Sequence, residues 1–251
     1  MTDQSRKVLK VLGDTAGEFL QGLVTNDIDN LKDGLVYSAL LTPQGKLITD
    51  FFLVPTDDGI LIDVDASAAA GLLQRLSLYK LRAKIELETT DIPVSRGLDD
   101  MPQTAFIDPR NPSLGWRDYS GAPSQTSVNW DDIYVAACIP RFGIELTSDS
   151  YILEAGFERL NGVDFRKGCY VGQEVTARMK HKTELRKGLV TVDIVGNAAP
   201  GTPIEAGGKA VGTLYTQSGT KAMAYLRFDR ATPEMKAGSA QISWSKPDAK
   251  E

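Results

Sequence analysis

Cysteine and histidine are scarce. Cys138, Cys169 and His181 are the only ones in 251 residues. Two cysteines exclude a disulfide framework as the organising principle. They cannot hold a four-thiolate iron–sulfur site within one chain, and a closed Cys/His zinc site lacks ligands, so no resident metal site is expected. Ser-His-Asp catalysis could draw only on His181, and no G-x-S-x-G elbow accompanies it. No apolar run approaches the roughly 18 residues needed to span a bilayer, so a soluble protein without a membrane partner is expected. Met1 to Ser5 carry no basic n-region, apolar h-region or Arg-rich arm. The expected location is the cytoplasm, or a compartment reached after a transit peptide has been removed. Positive charge is also short, with 28 Lys and Arg against 33 acids and a net charge of -5. That argues against direct nucleic-acid binding.

What is present is a globular composition, 42% apolar and 24% charged. At roughly 150 residues per domain the length allows about 1.7 domains. Short strand runs at Val8–Leu12, Leu35–Leu41, Lys46–Val54, Ile60–Val64, Ala83–Glu88 and Val94–Leu98 alternate with a helix start at Gly13–Thr15 and a helix over Asp65–Leu78. Thr42-Pro43-Gln44-Gly45 reads as a hairpin loop. The residues Trp130, Ile133, Tyr134, Ala137 and Cys138 share one stripe, which predicts a helix over Trp130–Ile139 with Cys138 in the core. From Gly188 onward, strand runs at Leu189–Ile194, Ala210–Thr216, Ala222–Phe228 and Ala240–Trp244 are broken by Pro-Gly, Gly-Gly and Ser-Gly turns, which suggests a small antiparallel barrel. The fold class is therefore α+β, with mixed α and β elements over residues 1–186, a barrel over 187–246 and a tail over 247–251.

Four features carry candidate chemistry. Between Arg159 and Lys187, eight basic residues face three acids, a local charge of +5 that includes Lys182 and Glu184. This is either a solvated helix face or an anion-attracting surface. Inside it lies Lys167-Gly168-Cys169-Tyr170-Val171-Gly172-Gln173-Glu174, followed by a helix that starts near Gly172. Cys169 thus precedes a helix N-terminus and follows a lysine, two fields that favour a thiolate. It could equally be a small buried hydrophobe. Asp50 is the third feature. Strand alternation sets it on one face with Ile48, Phe52 and Val54, where a carboxylate must be partnered or used. Trp130 opens its helix beside a loop, as core or as a platform for a flat heterocycle.

The Lys167–Glu174 string resembles the signature of the YgfZ-type folate-binding proteins that assist iron–sulfur cluster assembly, relatives of the glycine-cleavage T-protein, an aminomethyltransferase. The resemblance extends to Gly13–Asp27, to Leu41–Asp50, to Asp108-Pro109-Arg110 and to Leu114-Gly115. It implies a ring of α/β subdomains around a central cavity for tetrahydrofolate or another reduced folate, plus the C-terminal barrel. It further implies that Cys169 acts in cluster or thiol chemistry, supported by Lys167. Gly168 and Gly172 would allow a tight approach to the helix, and Tyr170, Gln173 and Glu174 complete the motif. Trp130, Asp50, Arg178 and Arg186 would hold the folate, the arginines as forks for its carboxylate tail. Implied partners are iron–sulfur clients or assembly factors.

Two departures from the T-protein speak against aminomethyl transfer. That enzyme carries two adjacent acids at the strand ending in Asp50, where this chain has Thr49 first. Its Arg-x-Glu-x-Gly-x-Pro pattern reads here Tyr134-Val135-Ala136-Ala137-Cys138-Ile139-Pro140, so Ala136 replaces the pterin-facing glutamate. The rival readings are a tetrahydrofolate-dependent aminomethyltransferase or demethylase using Asp50, and a non-catalytic folate-binding regulator of tRNA modification.

Overall fold

A computed structural model describes residues 3, 5–81, 83–122, 127–181 and 185–246. Lys182, Glu184 and the tail at 247–251 lie outside the described residues. By contacts the chain divides into two units: residues 1–128, 148–152 and 157–178, and residues 129–147, 153–156 and 179–251.

The first unit is built on a five-stranded antiparallel sheet in the order β2-β3-β4-β1-β5. Its strands are β1 (Arg6–Leu12), β2 (Val36–Leu41), β3 (Leu47–Thr56), β4 (Gly59–Asp65) and β5 (Glu86–Thr90). Helices α1 (Ala16–Gln21) and α2 (Ala66–Lys80) cover one face, and Leu9, Val11, Leu20, Phe51, Leu72 and Leu76 form the core there. Each such side chain contributes roughly 1.5–3 kcal/mol of apolar burial. Asp65 starts α2 by accepting from the Ser67 amide at 2.9 Å. A smaller sheet joins β6 (Ser95–Gly97), β8 (Trp116–Asp118) and β7 (Phe106–Ile107) in that order.

One strand departs from simple alternation. Leu40 pairs with Thr49 and Leu41 with Leu47, so Ile48 is the extra residue of a bulge. Ile48 consequently packs with Phe51 and Leu53 on the helix side, away from the face assigned to it beside Asp50.

The second unit contains α3 (Trp130–Ala136) and a barrel of β9 (Lys187–Val195), β10 (Pro203–Ala206), β11 (Lys209–Ser218), β12 (Lys221–Arg227), β13 (Glu234–Ala237) and β14 (Ala240–Ser243). The barrel closes in the order β10-β11-β12-β9-β14-β13, antiparallel throughout, with β13 returning to β10 through Ile204 and Ala237. Ile194, Ile204, Leu214, Ala224 and Leu226 fill its interior. The antiparallel barrel and the α+β class expected from the sequence are both present.

Helix α3 ends three residues short of its predicted end. The Ile139 amide reaches back to the Tyr134 carbonyl at 2.8 Å and the Cys138 amide to Val135 at 3.3 Å, while Cys138 takes a φ of 51°. This is a Schellman ending with Pro140 just beyond it. Cys138 is thus half-buried at a left-handed cap rather than a core residue on a helical stripe.

Candidate functional site

On the face of the first sheet opposite its helices, Tyr37 of β2 pairs with Phe52 of β3, and Phe52 pairs with Asp63 of β4. Asp63 is fully buried among donors. Arg6 donates to it at 2.6 Å, Arg117 at 2.6 Å and the Tyr119 hydroxyl at 2.9 Å. Burial alone pushes this carboxyl up, but the Arg117 and Arg6 guanidiniums outweigh it and hold Asp63 below its ordinary value. Arg110 grips Asp108 with two bonds, at 3.0 and 2.8 Å, and its guanidinium lies 4.7 Å from the Phe52 ring centre.

Asp50 differs. It is 4% exposed, one oxygen accepts from the Tyr37 hydroxyl at 2.9 Å, and its Oδ1 is buried with no hydrogen-bond partner. Burial raises its carboxyl above the ordinary value, and Arg6, the Tyr37 hydrogen bond and Arg110 only oppose that. Thr49 is buried and turns its hydroxyl to the Asp50 carbonyl at 3.3 Å.

Tyr37 also forms part of the wall of a cavity of about 620 Å³ with Asn26, Pro109, Glu158, Asn161 and Asp164. That volume is in the range of small-molecule sites. The Asn26 side-chain amide donates to the Tyr37 carbonyl at 2.9 Å and to the Asn161 carbonyl at 2.7 Å, tying three wall residues together. Asp33, Glu158 and Asp164 against Arg166 make the lining richer in acceptors than in cations.

The motif loop leaves this wall at Arg166. Lys167 is buried, and its ammonium donates to three backbone carbonyls, Gln21 at 2.9 Å, Val24 at 2.6 Å and Asn26 at 2.9 Å. Burial lowers its pKa to about 8, opposed by Asp27 and Asp164. Cys169 follows as a free, exposed thiol, not a buried hydrophobe. Tyr170 is buried, and Gln173 opens α4 (Gln173–His181) by donating its amide to the Tyr170 carbonyl at 3.2 Å.

The two glycines of the motif are not equivalent. Gly172 has a φ of 84°, and a Cβ there would stand 2.6 Å from the Thr42 carbonyl oxygen. A Cβ on Gly45, in the facing turn, would meet Val175 at 2.7 Å. The turn at Thr42–Gly45 and the start of α4 therefore need glycine on both sides. Gly168 has open space around it, so the tight approach expected of both motif glycines belongs to Gly172 alone.

Arg178, Arg186 and Glu174 are exposed. Asp50, Lys167, Cys169 and Arg178 fall in the first contact unit, Trp130 and Arg186 in the second. Trp130 is half-buried with its ring centre 6.4 Å from that of Tyr134, over which Arg141 stacks at 5.0 Å. Ala136 is exposed. Among the described residues no three His, Cys, Asp or Glu side chains converge as a metal site, and no helix is long and apolar enough to cross a membrane. Tyr37 and Asn26 escaped the sequence reading. The Thr42–Gly45 hairpin could have revealed Tyr37, because it brings β2 back beside Asp50.

The architecture is that of the T-protein. The crystal structure of the glycine cleavage system aminomethyltransferase T from Bartonella henselae covers 97% of this chain and 83% of its own, with a TM-score of 0.75 and 14% identity. Residues 186–250 match the C-terminal β-barrel domain of CAF17. The relatives in sequence are iron–sulfur cluster assembly factors of the IBA57 type. The Neurospora crassa homologue is 34% identical over 247 residues, 82% of this chain and 56% of its own. The Homo sapiens protein is 28% identical, over 88% of this chain and 75% of its own. The chain spans a little over half the length of the fungal relatives it matches. These relatives are named as mitochondrial, which overturns the cytoplasmic expectation.

Proposed function

We propose that this chain is an iron–sulfur cluster assembly factor, of the same broad kind as the YgfZ-type proteins, that acts on client enzymes through Cys169. The observation that carries the reading is the exposed thiol of Cys169 on a loop held by Lys167 on one side and Gly172 on the other. An exposed thiol on a held loop is available for exchange or for transient contact with a cluster delivered as cargo. Replacing Cys169 with Ser should lower the activity of cluster-dependent clients while leaving the fold intact. Timed alkylation of the native protein should label Cys169 before the half-buried Cys138. Faster labelling at Cys138 would sink the assignment.

A reduced folate fits the first unit. Its pterin ring presents N–H donors, and the carboxylates of Asp33, Glu158 and Asp164 belong to the lining of the cavity beside Tyr37. Asp50 does not line this cavity but stands behind its wall, accepting from the Tyr37 hydroxyl with one oxygen and keeping the other buried without a donor. When bound, the folate would supply a one-carbon carrier. The chain's own residues would orient the ring through Tyr37 and Asn26, with Arg178 of the same unit as a further candidate contact. Titration with tetrahydrofolate should raise the melting temperature. No response at millimolar ligand removes the folate part and leaves the assembly reading in place. Aminomethyl turnover is not part of the proposal. Thr49 and Ala136 stand where the T-protein has acids, and each lost charge-assisted bond is worth roughly 1.5–3 kcal/mol. Ammonia release from an aminomethylated carrier, abolished by Asp50→Asn, would promote the transferase reading instead.

A further inference from the structure

We propose that Lys167 is the positioning residue of the Cys169 loop, its ammonium acting as a tethered monovalent cation in a cradle of three backbone carbonyls. Gln21, Val24 and Asn26 aim their carbonyl oxygens at one point, at 2.9, 2.6 and 2.9 Å from Nζ. An ammonium has three donors and no acceptor, so this set saturates it. Carbonyl cradles of this kind also hold potassium and ammonium ions. Removing the side chain would leave three convergent, buried acceptors without a donor.

The cradle reaches further than the loop. Asn26 gives its carbonyl to Lys167 and its side-chain amide to the carbonyls of Tyr37 and Asn161, and all three of those residues line the 620 Å³ cavity. Tyr37 in turn donates to Asp50. One residue, Asn26, is thus common to the cavity wall and to the anchor of the thiol loop. A ligand that fixes the wall also fixes the loop. The functional consequence rests on the reading of Cys169 as the working thiol; the cradle itself does not.

The test compares Lys167→Ala with the wild type in methylammonium chloride and in tetramethylammonium chloride at equal ionic strength. The amides of Asp164 and Gln173, which donate to the Thr25 and Tyr170 carbonyls, report on the two sides of the loop by hydrogen exchange. In the variant their exchange should quicken by about tenfold or more, the equivalent of one lost charge-assisted bond. Methylammonium should restore protection, and the bulkier ion, which has no N–H, should not. Unchanged exchange in Lys167→Ala, or equal restoration by both salts, overturns the proposal. Should that variant fail to fold, the wild type decides. Isotopically labelled lysine should show a slowly exchanging Nζ resonance that Lys167→Arg removes, and its absence also overturns the proposal. If Cys169→Ser leaves client enzymes fully active while methylammonium still rescues Lys167→Ala, the assembly reading fails and the cradle stands.

Discussion

Asp63 and Asp50 occupy the same sheet, one strand apart and equally buried, yet their surroundings are opposite. Asp63 accepts from two guanidiniums and a phenol, and its carboxyl is held below its ordinary value. Asp50 has one phenol on one oxygen and nothing on the other, and burial raises its carboxyl. A carboxylate with every lone pair engaged maintains the fold. One with an unpaired buried oxygen weakens the fold, and such groups concentrate where a ligand completes the set.

The largest effect should come from Asp63→Asn. It removes the carboxylate that both guanidiniums grip and leaves the buried Arg117 only Asp108, at 3.8 Å, so unfolding in urea should show a loss of about 3–5 kcal/mol. A loss below about 1 kcal/mol would erase the contrast with Asp50.

Gly172→Ala comes next. It forces a Cβ against the Thr42 carbonyl at a positive φ, and should cost about 1–3 kcal/mol. Gly168→Ala, four residues earlier with open space around it, should stay within about 0.5 kcal/mol. Equal losses at the two glycines would show that the loop, and not the α4 contact, sets the requirement.

Asp50→Asn should change stability at neutral pH by less than about 1 kcal/mol while weakening tetrahydrofolate binding. The two aspartates should also titrate with opposite sign. Asp63 has a folded value below 3.8, so its stabilisation is present above 3.8 and is lost as pH falls below it. Asp50 has a folded value above 3.8, so its contribution is present below 3.8 and is lost as pH rises through the folded value. Unfolding free energies of wild type and both variants across that range, taken as differences, should diverge in opposite directions.

The smallest effect is expected in the other unit. Cys138 holds a left-handed cap with φ of 51°, a conformation that costs a side chain about 1 kcal/mol. Cys138→Gly should therefore be neutral or stabilising by up to about 1 kcal/mol in thermal unfolding. A clear destabilisation would mean that its half-buried packing outweighs the backbone.

The barrel was legible because turn residues bracket apolar strand runs, yet β10 and β13 escaped notice. Each has only four residues, β10 opens on Pro203, and Glu234 and Lys236 interrupt β13. Their pairing depends on ring closure, a non-local register that no local pattern carries. The first sheet was legible strand by strand, except that β5 runs over Glu86–Thr90 where Ala83–Glu88 was expected, and that one bulge moved Ile48 to the opposite face. The end of α3 was missed because a stripe continued into a cap, where a cysteine occupies the place usually given to glycine.

By itself the sequence determined the strand and helix periodicities, the hairpin at Thr42–Gly45, the loop placing Cys169 before a helix, and the oddity of Asp50 in an apolar strand. All of these follow from side-chain type at short spacing, where the period of the backbone alone decides which residues share a face. Only the tertiary structure decided that Asp50 has a single donor, that Lys167 spends its charge on three carbonyls 141 to 146 residues away, and that Gly172 rather than Gly168 is the obligatory glycine. The reason is physical. Hydrogen bonds and steric exclusion act through distances of about 3 Å, and which groups come that close is settled by the packing of distant segments rather than by their order along the chain.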